Sequence, residues 1–182
     1  MRIVTILAIT FLLPSVIMAQ IYQADETEVT FESKTPIEDI YARNTRVRSF
    51  LNSATREIVF NVPIKDFRFK NKLMEEHFNE NYLESDKYPN STFSAKLPES
   101  TDLQKDGSHK VTVSGKMNIH GVERNVQETG TIKIKGSIIT IESAFQIMLV
   151  DYKIEVPQIV FAKIAEKIDV KIRASYAPYK KK

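Results

Sequence analysis

The stretch HKVTVSGKMNI, residues 109–119, alternates apolar and polar side chains along most of its length. Its apolar positions are Val111, Val113, Met117 and Ile119, and its polar positions are Thr112, Ser114, Lys116 and Asn118. Successive side chains of a β-strand point to opposite faces of the sheet, so this period of two predicts a strand with one apolar and one wet face. Strands of this kind are typical of antiparallel sheets.

The same period recurs along the rest of the chain. It is present in EVTFESK (28–34), REIVFNVPI (56–64), STFSAKL (91–97), TIKIK (131–135), SIITIESAFQIML (137–149) and KIDVKIRASY (167–176). Short turns such as KDGS and KGS join several of these segments. About eight short strands with such turns predict a single all-β domain, either an antiparallel barrel or a sandwich.

One segment breaks the pattern: LMEEHFNENYLESDKYP, residues 73–89. At about 100° per residue, one half of a helix would carry Leu73, Met74, His77, Phe78, Asn81 and Tyr82. The other half would carry Glu75, Glu76, Asn79 and Glu80 and face water. We therefore expect an amphipathic helix that closes the open end of a barrel. A second short helix is expected in PQIVFAKIA, where Pro157 suits a first helical turn.

The N-terminus, MRIVTILAITFLLPSVIMAQ, has the layout of a secretory signal peptide. Arg2 precedes an apolar run from Ile3 to Leu13, and Ala19 is suited to cleavage. Pro14 ends the run before it reaches the roughly 20 residues that a membrane span needs. The expected organisation is a signal peptide over 1–19 and one mature domain over 20–182, in the periplasm or secreted.

Composition excludes several kinds of chemistry. The chain has no Cys, so it offers neither thiol chemistry nor a zinc–thiolate site. Its 26 basic and 23 acidic residues are interspersed except for a terminal KKK, so nucleic acid is not an expected partner. No nucleophile elbow, phosphate-binding glycine loop or HExxH motif is present. We therefore expect no catalytic residues, no metal and no cofactor.

An alternative based on His77 and Glu80 is a metal-assisted or general acid–base hydrolase. The two residues are three apart on the expected helix, and Glu84 follows one turn later. A metal site would still need ligands from elsewhere, and the chain has only three histidines. A packing role for His77 is the simpler interpretation.

Three segments together resemble the YceI-like family of exported bacterial proteins. They are FNVPIKDFRFKNKLMEEHFNENYLESDKYPNSTFSAKL (60–97), KMNIHGVERNV (116–126) and FQIMLVDYKIEVP (145–157). The resemblance implies a lipocalin-like barrel whose interior holds a polyisoprenoid, such as the tail of a quinone or of an isoprenyl phosphate. It also implies a non-enzymatic protein that transports or stores this lipid.

The residues expected to contact the lipid face the barrel interior or lie on the apolar half of the helix. They are Phe31, Phe60, Val62, Leu73, Met74, His77, Phe78, Tyr82, Phe93, Val113, Met117, Phe145 and Leu149. Transient membrane contact and a homodimer both stay open. A third alternative is a structural stress module whose barrel is filled by its own side chains.

Overall fold

The computed structural model describes residues 20–157 and 163–179. The expected signal peptide, most of the expected second helix and the terminal lysines lie outside the described residues. Within them no helix has both the length and the apolar character needed to cross a bilayer.

Ten antiparallel strands form one sheet that closes on itself. They are β1 (Ile21–Lys34), β2 (Asp39–Asn44), β3 (Arg48–Asn52), β4 (Glu57–Pro63), β5 (Arg68–Phe69), β6 (Asn90–Lys96), β7 (Gly107–Ile119), β8 (Val122–Lys135), β9 (Ile138–Met148) and β10 (Lys167–Pro178). Eight of them complete the circuit β1–β3–β4–β6–β7–β8–β9–β10, because β10 also pairs with β1. The prediction of an all-β, lipocalin-like antiparallel barrel is confirmed.

The two remaining strands, β2 and β5, lie outside this circuit. β2 pairs with the second half of β1, and β5 pairs with β2. β3 instead pairs with the first three residues of β1. Sequence analysis missed β2 and β3 because neither alternates cleanly: their buried faces include the polar Asn44 and Ser49, and their exposed faces include Tyr41 and Phe50.

The ends of the barrel differ in how they are filled. At the end where β1 and β9 begin, Leu51, Ile132, Ile139 and Tyr176 are fully buried and fill the interior. The Tyr176 hydroxyl lies 2.6 Å from Ser49 Oγ, and Ser49 donates a 2.7 Å hydrogen bond to the Val59 carbonyl. Burial raises the pKa of Tyr176 strongly, so the phenol stays neutral. We call this the packed end.

The opposite end carries a short helical segment, which we call the lid (residues 72–83). It consists of α1 (Lys72–His77) followed by a π-helical turn, Phe78–Tyr82. The Asn71 side chain caps α1 by accepting a hydrogen bond from the Leu73 amide at 3.0 Å. One short helix was expected here, and one is present.

A polar clamp fixes the chain leaving the lid to the turn between β7 and β8. His120 Nε2 lies 2.7 Å from Glu84 Oε2, and His120 Nδ1 lies 3.2 Å from the Tyr152 carbonyl oxygen. The Tyr88 and His120 rings meet edge to face with centroids 4.7 Å apart. The neighbouring Gly121 has a φ of 74°, and a Cβ there would lie 2.3 Å from the Tyr88 ring. Glycine is therefore required both by backbone conformation and by space.

We predict that Gly121→Ala destabilises the fold more than Gly136→Ala. Gly136 also has a positive φ, 58°, but nothing lies within 4 Å of its Cβ position. Gly136→Ala should cost about 1–2 kcal/mol, the usual penalty for a left-handed non-glycine residue. Gly121→Ala should cost about 1–3 kcal/mol more, because Tyr88 must move. Urea unfolding of both variants measures the difference. Equal free energies of unfolding would contradict the close packing of Gly121 against Tyr88.

Candidate functional site

An apolar cavity with a volume of about 170 Å³ lies between the packed end and the lid. Its walls are aliphatic and aromatic side chains from β1, β4, β6, β7, β9 and β10. The polar groups on the described part of the lining are the hydroxyls of Ser33, Tyr82, Ser91 and Thr92. Because no charged side chain faces this part of the cavity, its lining is chemically suited to an apolar molecule.

Phe78 attaches the lid to the barrel through a cluster of four phenylalanines. Its ring centroid lies 5.3 Å from Phe31 on β1, 5.5 Å from Phe67 and 5.0 Å from Phe69 on β5. These separations are in the range where aromatic rings attract each other beyond simple burial. Met74, Tyr82 and Leu83 extend this apolar face of the lid along the cavity.

The inward arc of the lid is rotated from the arc that the sequence predicted. Leu73 is 57% exposed and lies outside the cavity, although it was expected to contact the lipid. Glu75 was expected to face water, but its side chain is only 15% exposed. At about 100° per residue, Leu73 is about 140° from Phe78, whereas Glu75 is about 60° from it. The direction of the Phe78 side chain therefore determines which residues of the lid face the barrel.

Glu75 holds the lid against β5. Its carboxylate accepts hydrogen bonds from the Phe69 backbone amide and from Lys72 Nζ, both at 3.1 Å. Arg68 lies 3.6 Å away. Burial raises the pKa of Glu75, but the Phe69 and Lys72 hydrogen bonds and the charges of Lys72 and Arg68 outweigh it, so the pKa is lowered.

The structure brings most of the residues expected to bind lipid together. Those that line the cavity are Phe31, Phe60, Val62, Met74, Phe78, Tyr82, Phe93, Met117, Phe145 and Leu149. Val113 lines a smaller adjoining pocket of about 60 Å³. Leu73 and His77 line neither.

Sequence analysis missed Phe67, Phe69 and Leu83, which also line the cavity. The first two alternate within KDFRFK, between a strand and the lid. That spacing of two was the available signal, but the run is too short to predict a strand. Leu83 follows the π-helical turn, whose extra residue shifts it from its position in a regular helix.

No metal centre is formed around His77 and Glu80. Within residues 20–157 and 163–179, no three His, Asp or Glu side chains are close enough together to hold an ion. The His–Glu contact that the structure does show joins His120 and Glu84 in the clamp.

Comparison with known families assigns the fold. The model of the YceI-like domain matches residues 22–176. The chain belongs to the YceI-like family.

Solved structures of YceI-like and related proteins show the same fold. A polyisoprenoid binding domain from Saccharophagus degradans is 14% identical, with a TM-score of 0.77, covering 87% of this chain and 98% of that one. Burkholderia cenocepacia BcnA is 15% identical, with a TM-score of 0.68 and coverage of 82% and 95%. The Campylobacter jejuni YCEI protein is 14% identical, with a TM-score of 0.56 over the whole of both chains. No curated protein matches the chain.

In this YceI-like domain, the three segments that carried the resemblance also meet in the clamp, to which FQIMLVDYKIEVP contributes the Tyr152 carbonyl. Glu84 and Tyr88 come from ESDKYP, and His120 and Gly121 come from IHGV. Glu84, His120 and Lys153 all have positive φ values, of 41°, 53° and 54°. The cost of these conformations indicates that the clamp is held firmly by its surroundings.

We predict that the Glu75 contacts make the stability of this YceI-like domain sensitive to acid. The pKa of Glu75 is lower in the folded protein than its ordinary 4.5. The contribution of Glu75 to the free energy of unfolding is therefore complete above pH 4.5. It is lost as the pH falls through the lower pKa that Glu75 has in the folded protein. Glu75→Gln should be about 1 kcal/mol less stable than the wild type at pH 7.

Urea unfolding at pH 7 and at about pH 3.5 tests whether the stabilisation by Glu75 decreases in acid, because protonated Glu75 offers no charge to Lys72 or Arg68. The difference between wild type and Glu75→Gln should shrink at the lower pH. Glu76→Gln, on the exposed side of the lid, is the matched control and should change little at either pH. A difference that stays constant or widens in acid would contradict the role of Glu75.

Proposed function

We propose that this chain is an exported, non-enzymatic binding protein that holds a polyisoprenoid lipid inside its barrel for transport or storage. The observation that carries the proposal is the cavity between the packed end and the lid, whose described lining is aliphatic and aromatic with a few hydroxyls. A branched hydrocarbon chain satisfies such a lining, whereas a charged metabolite would lose its hydration without finding a partner.

The comparisons support a lipid ligand. The Saccharophagus degradans domain is described as polyisoprenoid binding. We extend this ligand class to the present chain because its own cavity has the required chemistry and because the family model spans nearly the whole described domain. The proposal includes no catalytic step, since neither His77 nor Glu80 faces the cavity.

Energetics favours a carrier or a reservoir over a permanent trap. Moving a 40-carbon chain from water would release about 30 kcal/mol at ~0.8 kcal/mol per methylene. That exceeds the ceiling of roughly 20 kcal/mol seen for non-covalent binding. The competing environment is a bilayer, in which the chain is already dry. Transfer between bilayer and barrel is then close to balance, and the protein contacts membranes transiently to load and unload.

We predict that Phe78→Asp abolishes lipid retention. The new carboxylate would lie among Phe31, Phe67 and Phe69, where burying it unpaired costs several kcal/mol unless the lid swings away. The barrel ladders do not include the lid, so the β-type circular dichroism should persist. Mass spectrometry of lipid that co-purifies with the protein gives the amount retained.

Leu73→Asp is the matched control for this substitution. It places the same charge in the same lid but at an exposed position outside the cavity. Its lipid content should equal that of the wild type. If Phe78→Asp retained as much lipid as Leu73→Asp, the lid would not close the binding site.

We also predict export, on the basis of Arg2, the run from Ile3 to Leu13, and Ala19. Intact-mass analysis of fractionated bacterial cells should find a chain that begins at Gln20 outside the cytoplasm. Leu7→Arg, which interrupts the apolar run, should leave the full-length chain in the cytoplasm. Full-length wild-type protein in the cytoplasm would contradict export.

A further inference from the structure

The barrel wall is split between β8 and β9 on the side nearer the lid. The two strands are hydrogen-bonded from Lys135↔Ile138 to Gly130↔Ser143 and no further. Beyond this point β8 continues to Val122 against β7, and β9 continues to Met148 against β10. Each strand therefore has a partner on its outer side, while the two edges that face each other are unpaired. We call this opening the β8–β9 slot.

Side-chain contacts bound the slot at both ends. Where the ladder stops, Ser143 Oγ donates a hydrogen bond to the Thr129 carbonyl at 2.8 Å. At the other end, Arg124 forms an ion pair with Asp151 at 3.3 Å. The five residue-to-residue steps from Thr129 to Arg124 correspond to about 17 Å of extended strand. The β8–β9 slot is thus an opening with a side-chain contact at each end, not a frayed strand end.

The slot adjoins the apolar cavity. Its edges carry the half-buried side chains Val126 and Phe145, both packed against the core. The adjoining pocket of about 60 Å³ reaches from Glu128 and Phe145 inward to Phe93 and Met117, and the last three also line the main cavity. A chain in the main cavity can therefore place its end at the slot.

One carboxylate, Glu128, faces the inside of this slot. Glu128 pairs with Val113 on β7. It is an even number of residues from the buried Ile132 and Ile134 on the same strand, so its side chain points to the same inner face. It is half-buried and lines the smaller pocket. Burial raises the pKa of Glu128, and among the described residues it forms no ion pair that would offset this effect. A polar side chain kept in an apolar wall without a partner is poised for a hydrogen bond with a ligand.

We propose that the β8–β9 slot binds the head group of the lipid, and that it selects an uncharged hydrogen-bonding head such as a hydroxyl over a phosphate ester. The inference rests on the proposed function and narrows its ligand class. Glu128 accepts a hydrogen bond from a hydroxyl when ionised and donates one when protonated. A phosphate ester would meet the like charge of Glu128 in a partly dry site, because neither pocket is lined by a described Lys or Arg. Arg124, at the far end of the slot about 14 Å of strand from Glu128, is already paired with Asp151.

Competition between two lipids with the same chain tests the selection. Geranylgeraniol and geranylgeranyl diphosphate would each displace the neutral fluorescent probe N-phenyl-1-naphthylamine from the purified protein. The measured quantity is the ratio of the diphosphate concentration to the alcohol concentration that displaces half of the probe. In the wild type, this ratio should be at least ten. Glu128→Gln should reduce this ratio to threefold or less, mainly by improving diphosphate binding.

Glu123→Gln is the matched control, because it removes the same charge from the same strand. Glu123 is exposed and forms its ion pair with Lys116 outside the barrel. The displacement ratio of Glu123→Gln should therefore equal that of the wild type. Circular dichroism would show that all variants keep the fold.

The outcomes separate the two proposals. Equal displacement by both lipids in the wild type, or a ratio that Glu128→Gln leaves unchanged, overturns the slot inference while polyisoprenoid binding stands. If neither lipid displaces the probe, polyisoprenoid binding fails and the slot inference fails with it.

Discussion

The ladder between β1 and β10 is the interaction on which the rest of the structure depends. It runs from Tyr22↔Pro178 to Glu32↔Asp169, with one bulge between Ala24 and Glu26. Pairing β1 with β10 closes the circuit of eight strands and so creates an interior. Without this ladder, the apolar faces of eight strands would enclose nothing, and the lid would have no rim on which to rest.

The enclosed space is then divided by side-chain size and burial. Fully buried residues such as Leu51, Ile139 and Tyr176 fill the packed end, which stabilises the barrel whether or not a ligand is present. Nearer the lid, Phe31, Phe60 and Phe145 leave a cavity between them. An apolar cavity of this kind excludes ordered water and forfeits dispersion contacts, which a hydrocarbon ligand would restore.

Local sequence predicted an antiparallel all-β domain because most of the strands carry a period of two, and the resemblance to the YceI-like family narrowed this prediction to a barrel. It predicted the direction of the lid only approximately, because the inward arc depends on the three phenylalanines that receive Phe78. Glu128 was missed for a related reason. Its segment, VERNVQETG, lacks apolar alternation, and its inward position follows from long-range register with β7. The slot itself exists because pairing stops at Ser143, which no local pattern in either strand reveals.

In the function proposed here for the barrel, the lid and the slot divide lipid binding into two tasks. The contacts of Phe78 are apolar and would serve any hydrocarbon chain, so the lid controls access and residence time without distinguishing head groups. Glu128 is the charged residue of the described interior, and its partly dry setting strengthens its interaction with whatever reaches it. Discrimination therefore belongs to the slot, where an unfavourable partner is rejected by an unpaired charge. Affinity for the chain belongs to the cavity, where area is buried but no head group is recognised. This separation lets a carrier exchange its lipid readily with a bilayer and still choose which lipid it takes.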